Sequence, residues 1–103
     1  MTEEQFIKVT QWQKETFPKA SLLSKIKHLQ EELAELKDAI IKDLHTQEIE
    51  HEFADCFTLL FGSASTFGMD FKDIISCIDS KMEINKKRTW GAPDKDGVVR
   101  HIK

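Results

Sequence analysis

Glu31, Glu32 and Glu35 stand in an EExxE pattern, and Glu52 and Asp55 follow in an ExxD pattern. On a helix, residues three apart are neighbours, so each motif offers a carboxylate pair on one face. At about 100° per residue, Glu32 and Glu35 lie roughly 60° to 120° to one side of their helix's apolar stripe, and Glu52 and Asp55 are offset from theirs by the same angle. Two antiparallel helices facing each other are related by a two-fold axis, which keeps equal offsets on the same side. Counted from the loop between them at about 1.5 Å per residue, Glu52, Glu35, Asp55 and Glu32 fall roughly 11, 14, 16 and 19 Å along the pair. These carboxylates are therefore expected on one shoulder, within two helical turns. Acids so close repel and cannot all stay ionised without a cation, and hard oxygen ligands suit magnesium, or manganese in its place, rather than zinc. Glu31 points further toward solvent and is a candidate base. A single EExxE is usually the solvated face of an amphipathic helix, but the agreement of phase and depth between the two motifs favours a metal site.

A second constellation is basic. Lys81, Asn85 and Arg88 follow at i, i+4 and i+7 on a helical pattern, so an ammonium, an amide and a guanidinium share one face and could grip a polyphosphate. The bland alternative is a basic helix end that complements the helix dipole. Trp90 and Trp12 are candidates for stacking on a base, with core packing the stronger expectation for Trp12. His28 projects on the side of Glu32 and Glu35 and is a weaker candidate for a substrate or water contact. His45, His51 and His101 form no convincing zinc set with a cysteine, and no glycine-rich phosphate loop is present. Any phosphate recognition must come from metal and side chains.

The elements that carry these residues read as an all-α, four-helix bundle. The first helix is expected over Thr2 to Thr16, with Phe6, Val9 and Trp12 on its inner side, ended by Phe17-Pro18. The second, capped by Ser21 and running to about Asp43, places Leu22, Ile26, Leu29, Leu33, Leu36 and Ile40 at alternating steps of four and three. The third begins near Thr46 and carries Ile49, Phe53, Cys56, Leu60 and Ala64 until Phe67-Gly68 breaks it. The short loop before it makes helices two and three antiparallel neighbours. The fourth follows Asp70, turns Phe71, Ile74, Ile75, Ile78 and Met82 inward and ends near Arg88. The remaining tail holds turn residues, then a Val98 to Ile102 stretch that is extended or docks on a partner subunit.

The 103 residues suit a single domain, residues 1–103, with about 89–103 less regular. A hydrophobic fraction of 40% and a charged fraction of 32% are those of a folded soluble domain, not a disordered chain. The net charge of −3 argues against a nucleic-acid polymer as partner. Short apolar runs argue against a membrane span, and the N-terminus has no signal-like core, so a cytoplasmic location is expected. Cys56 and Cys77 read as reduced, buried thiols.

The segments HLQEELAEL, EFADCF and KMEINKKRTW together resemble the MazG-like all-α nucleoside triphosphate pyrophosphohydrolases, marked by EExxE followed by ExxD. The ending NKKRTWGAPDKDGVVRH is similar to a small subgroup described as dATP/dGTP pyrophosphohydrolases. The resemblance covers nearly the whole chain. It implies a homodimer or homotetramer that uses magnesium to split a (deoxy)nucleoside triphosphate into monophosphate and pyrophosphate, as a nucleotide-pool house-cleaner. Metal ligation then falls on Glu32, Glu35, Glu52 and Asp55, phosphate contacts on Lys81, Asn85 and Arg88, and proton abstraction on Glu31, Glu32 or Glu35. Two rival readings are a noncatalytic helical oligomerisation module and a pyrophosphatase acting on a phosphoribosyl-nucleotide.

Overall fold

The computed structural model describes residues 1–102. Four helices in chain order, α1 (Glu3–Thr16), α2 (Leu22–Ile41), α3 (Thr46–Phe67) and α4 (Phe71–Lys87), make up its regular structure, with no strand among the described residues. No helix is long and apolar enough to cross a membrane.

The helix ends follow from local chemistry. The side chains of Thr2 and Ser21 accept the backbone N–H groups of Gln5 and Ser24, each at 3.1 Å, satisfying donors that the first turn leaves open. His45 caps α3 through Nδ1, which accepts the Gln47 N–H at 3.2 Å. Between α2 and α3, Asp43 takes a left-handed φ of 52°, tolerated by a short polar side chain, and the chain reverses within four residues, 42–45. Gly68 ends α3 at φ 116°, a conformation only glycine adopts without strain, and its N–H returns to the carbonyls of Ala64 and Ser65.

The packing divides the described chain after Phe71 into two compact units. In the first, α2 and α3 lie antiparallel, as the pairing of Lys25 with Thr66 and of Glu32 with Asp55 shows, and α1 packs on α3. Phe6 meets Phe61 edge-on at 6.2 Å and Phe71 at 5.9 Å. The second unit holds the rest of α4 and the tail. There Trp90 and His101 form an isolated antiparallel bridge, closed by Gly91 N–H to Arg100 C=O at 2.8 Å and Ile102 N–H to Thr89 C=O at 2.7 Å. Asp94 organises the turn between them. Its carboxylate accepts from the Asp96 and Val98 N–H groups and pairs with Arg100 at 2.7 Å, contacts that hold its pKa below the usual range, Arg100 most of all.

Burial departs from the expected stripes. Trp12, expected in the core, is 57% exposed and rests edge-on against Phe17. Leu33, Ile40, Phe53, Leu60, Ile75, Ile78 and Met82 are also exposed, as is Cys77, whereas Cys56 is buried as expected and both thiols are free. In their place the polar residues Thr10, Gln13, Lys25 and Ser63 are buried. The reason is geometric. A periodic stripe marks the face that wants cover, but three packed helices cover only the part of each stripe that meets a neighbour, and the rest stays at the surface.

The buried polar groups are tied to the backbone. Thr10 Oγ1 donates to Phe6 C=O at 2.9 Å and Ser63 Oγ to Leu59 C=O at 2.7 Å, each within its own helix. Gln13 Nε2 reaches across from α1 to Thr58 C=O at 2.9 Å. Its Oε1 is buried without a hydrogen-bond partner and lies over Gly62, where a Cβ would collide with the Gln13 amide.

Candidate metal centre

The ligand oxygens of Glu32, on α2, and of Glu52 and Asp55, on α3, lie within 4.8 Å of one another. Glu35, one turn after Glu32, belongs to the same cluster through a hydrogen bond between its carboxyl group and that of Glu32. The equal phase and depth expected for these acids are therefore realised. Glu32 and Glu52 are half-buried, whereas Glu35 and Asp55 are exposed at the rim.

The electrostatics show how closely the acids crowd. Burial first, then the Glu35 hydrogen bond and charge, then the charges of Asp55 and Glu52, push the Glu32 carboxyl above its ordinary 4.5. The Cys56 thiol, one residue from Asp55, is raised by burial and then by the charges of Glu32, Asp55, Glu52 and Glu35. All four carboxylates are thus felt at one point beneath the cluster.

Glu32 Oε2 and Glu52 Oε2 are both buried and neither has a hydrogen-bond partner, although each belongs to an acid whose neighbours are acids. A buried carboxylate oxygen without a donor is costly, and among the described residues no lysine or arginine forms an ion pair with these acids, while His28 Nε2 lies 3.4 Å from the other oxygen of Glu32. A divalent cation would satisfy both orphaned oxygens and cancel the repulsion, and an all-oxygen donor set of carboxylates suits magnesium or manganese. The residues fit the ion.

Among the other expected site residues, Glu31 is exposed beside Glu32 in sequence, and His28 is joined to the cluster by its contact with Glu32. On α4, Asn85 is half-buried and Lys81 is exposed, and Arg88, just past the end of the helix, is half-buried. Trp90 is partly exposed, and its Nε1 donates to Asn85 C=O at 3.0 Å, which fixes the indole against the end of α4. Trp12 is exposed away from the core. Sequence reasoning missed Lys25, buried on α2 one turn before His28. Its position beside the Leu22–Ile26 stripe was a usable signal, because a lysine at the edge of an apolar seam often buries its stem.

Residues 6–103 match the family model described as dATP/dGTP pyrophosphohydrolase. A dATP/dGTP diphosphohydrolase of Salmonella phage PMBT28 is 34% identical over 94 residues, covering 91% of this chain and 29% of that protein. The chain thus spans less than a third of that curated relative. Among solved structures, the cyanophage S-2L MazG-like pyrophosphohydrolase, bound to dGDP and three catalytic Mn²⁺ ions per active site, superposes with a TM-score of 0.78 at 26% identity, over 100% of this chain and 99% of that one. With its four helices, its paired acidic motifs and a family match from Phe6 onward, this chain belongs to the dATP/dGTP pyrophosphohydrolase family.

Proposed function

We propose that the protein is a metal-dependent pyrophosphohydrolase, one domain over residues 1–103, that converts a deoxynucleoside triphosphate and water into the monophosphate and pyrophosphate. The observation that carries this reading is the pair of buried, unpartnered oxygens on Glu32 and Glu52 within a four-acid cluster. Purine deoxynucleotides are the proposed substrates, supported by the phage relative described as acting on dATP and dGTP and by the dGDP in the cyanophage structure.

Glu32, Glu35, Glu52 and Asp55 would hold the cation, magnesium with manganese as a substitute, which would supply charge neutralisation at the phosphates and a more acidic water for in-line attack. Glu35, at the rim and hydrogen-bonded to Glu32, takes up the proton of the attacking water in this reading, with Glu31 as the exposed alternative. His28 orients the free edge of Glu32 through its 3.4 Å contact. Lys81 and Asn85 on α4 and Arg88 just past its end bind phosphate oxygens through their ammonium, amide and guanidinium donors. Trp90 and Trp12 offer faces for the base or sugar. The enzyme acts in the cytoplasm as a house-cleaner of the nucleotide pool and assembles as a homodimer or homotetramer, which covers the exposed apolar residues of α2 and α3. Those residues also suit a noncatalytic oligomerisation module, which would bind no metal.

The test is pyrophosphate release from each common ribo- and deoxyribonucleoside triphosphate by the purified protein with magnesium, alongside calorimetry with magnesium alone. Saturable metal binding and release of pyrophosphate with a purine monophosphate are expected. A protein indifferent to both magnesium and every nucleotide would be the noncatalytic module.

A further inference from the structure

Beside the acid cluster, α2 carries a cationic side chain that has no counter-charge. Lys25 is only 8% exposed, and its Nζ donates to Thr66 Oγ1 at 2.7 Å across the α2–α3 contact. An ammonium has three donors, and among the described residues no carboxylate pairs with this one. A buried lysine without an anion is as poorly satisfied as the buried oxygens of Glu32 and Glu52. Burial and the charge of Lys14 already disfavour its charged form.

Lys25 lines a half-open cavity of about 100 Å³, with Phe17, Ala20 and Leu59 as apolar walls and His28 at its border. At about 30 Å³ per water that is room for roughly three waters, the size of one edge of a flat heterocycle rather than of a whole nucleotide. Gln13 and Ser24 also line it, but Gln13 Nε2 already donates to Thr58 C=O and Ser24 Oγ to Ser21 C=O, whereas Lys25 has spent one of its three donors on Thr66. Lys25, His28 and Glu32 fall at i, i+3 and i+7, so they share one face of α2, and Lys25 precedes the metal ligand by seven residues, roughly 10 Å of helix. A nucleoside spans that kind of distance between its 5′-phosphate and the far edge of its base. With phosphates at Glu32, the base reaches the cavity.

We propose that this cavity is the base subsite and that Lys25 determines specificity by donating a hydrogen bond to an acceptor on the purine edge, N7 or, in guanine, O6. The assignment rests on the proposed nucleotide chemistry. Apolar walls accept the ring faces of any base, whereas the ammonium needs an acceptor: both purines present N7, guanine adds O6 and thymine has only O4, while cytosine puts its N4 amine, a donor, at that edge. Thr66 anchors the ammonium, so the donor is held in place before the base arrives.

The experiment compares kcat/KM for dGTP, 7-deaza-dGTP, which lacks N7, and the deoxynucleoside triphosphate of 2-aminopurine, which lacks O6, in the wild-type protein and in Lys25→Met. The wild type should lose roughly 10- to 100-fold on one of the two analogues, the worth of one hydrogen bond from a charged donor. Lys25→Met should show the same loss on dGTP and no further loss on that analogue. A merely structural lysine would lower all three substrates alike and keep the wild-type ratios, which would overturn the assignment. So would a wild type that treats all three as equals, a result that stands even if Lys25→Met does not fold. A wild type that releases pyrophosphate from no nucleotide refutes the proposed function itself, a distinct outcome.

Discussion

Replacing Glu32 with glutamine removes one charge from the acid cluster while keeping the shape of the side chain. The ligand oxygens of Glu32, Glu52 and Asp55 lie within 4.8 Å of one another. Two unit charges at that separation repel by about 0.9 kcal/mol in water and about 3.5 kcal/mol at an effective dielectric constant of 20. The rim is open at Glu35 and Asp55, so screening puts each pair near the lower figure. Glu32 faces two such neighbours within the triad and Glu35 beside it, and proton uptake relieves part of the repulsion. Glu32→Gln should therefore stabilise the metal-free protein by about 1–2 kcal/mol, or roughly 4–16 °C in Tm. Magnesium at 100 times its Kd should add about 2.7 kcal/mol to the wild type and far less to the variant. The pH dependence follows from the raised Glu32 pKa. A group whose pKa is raised by folding contributes stability at low pH that is lost as pH rises through the folded value, so in chelator the advantage of the variant should vanish toward pH 4.5 and open above it. Thermal melts with chelator or magnesium between pH 4.5 and 8 measure all of this. A metal-free Glu32→Gln that melts lower than wild type at pH 8, yet keeps the full magnesium shift, would refute the reasoning.

Glu35→Gln should abolish pyrophosphate release while leaving the far-ultraviolet circular dichroism unchanged, and full turnover would remove this residue from the mechanism. Lys81→Ala and Arg88→Ala should each raise KM or slow kcat by roughly tenfold or more, the worth of one charged phosphate contact; unchanged steady-state kinetics would return them to the solvated surface. Gly62→Ala should cost about 1–3 kcal/mol, because a Cβ there runs into the Gln13 side chain, whose Cδ would lie 2.7 Å away. Combining it with Gln13→Ala should recover part of that loss in a denaturant melt, and additive losses would show that the two positions do not meet.

The acid cluster was legible in the sequence because helical phase and distance from a short loop are both countable. Ser21 and Gly68 were legible because caps and left-handed terminators are local. Which side of each apolar stripe would be covered was not. Leu33 and Phe53 satisfy the period as well as Leu36 and Cys56 do, yet only the latter two are buried. That choice depends on where α1 lands on α3, a long-range fact set by Gln13, Gly62 and Phe6, which no single helix encodes. Lys25 was half legible for a related reason: its place beside the Leu22–Ile26 stripe hinted at a buried stem, but the partner of its Nζ, Thr66, is 41 residues away. The fold-back of the tail depends on Asp94 meeting Arg100 and on the backbone of Trp90 and His101, pairings invisible to periodicity.

The lodging of the Gln13 amide over Gly62 has a consequence for how the three helices assemble. Leucine-rich surfaces tolerate sliding, because one methyl group replaces another after a displacement of one turn, about 5.4 Å. A lone carboxamide with a single matching notch tolerates none: any shifted docking would strand its N–H away from the Thr58 carbonyl and press its oxygen against a side chain. That lock gives α1 one address on its neighbour. Residues 13 and 62 should accordingly be exchanged as a unit when segments of this protein are grafted into another chain.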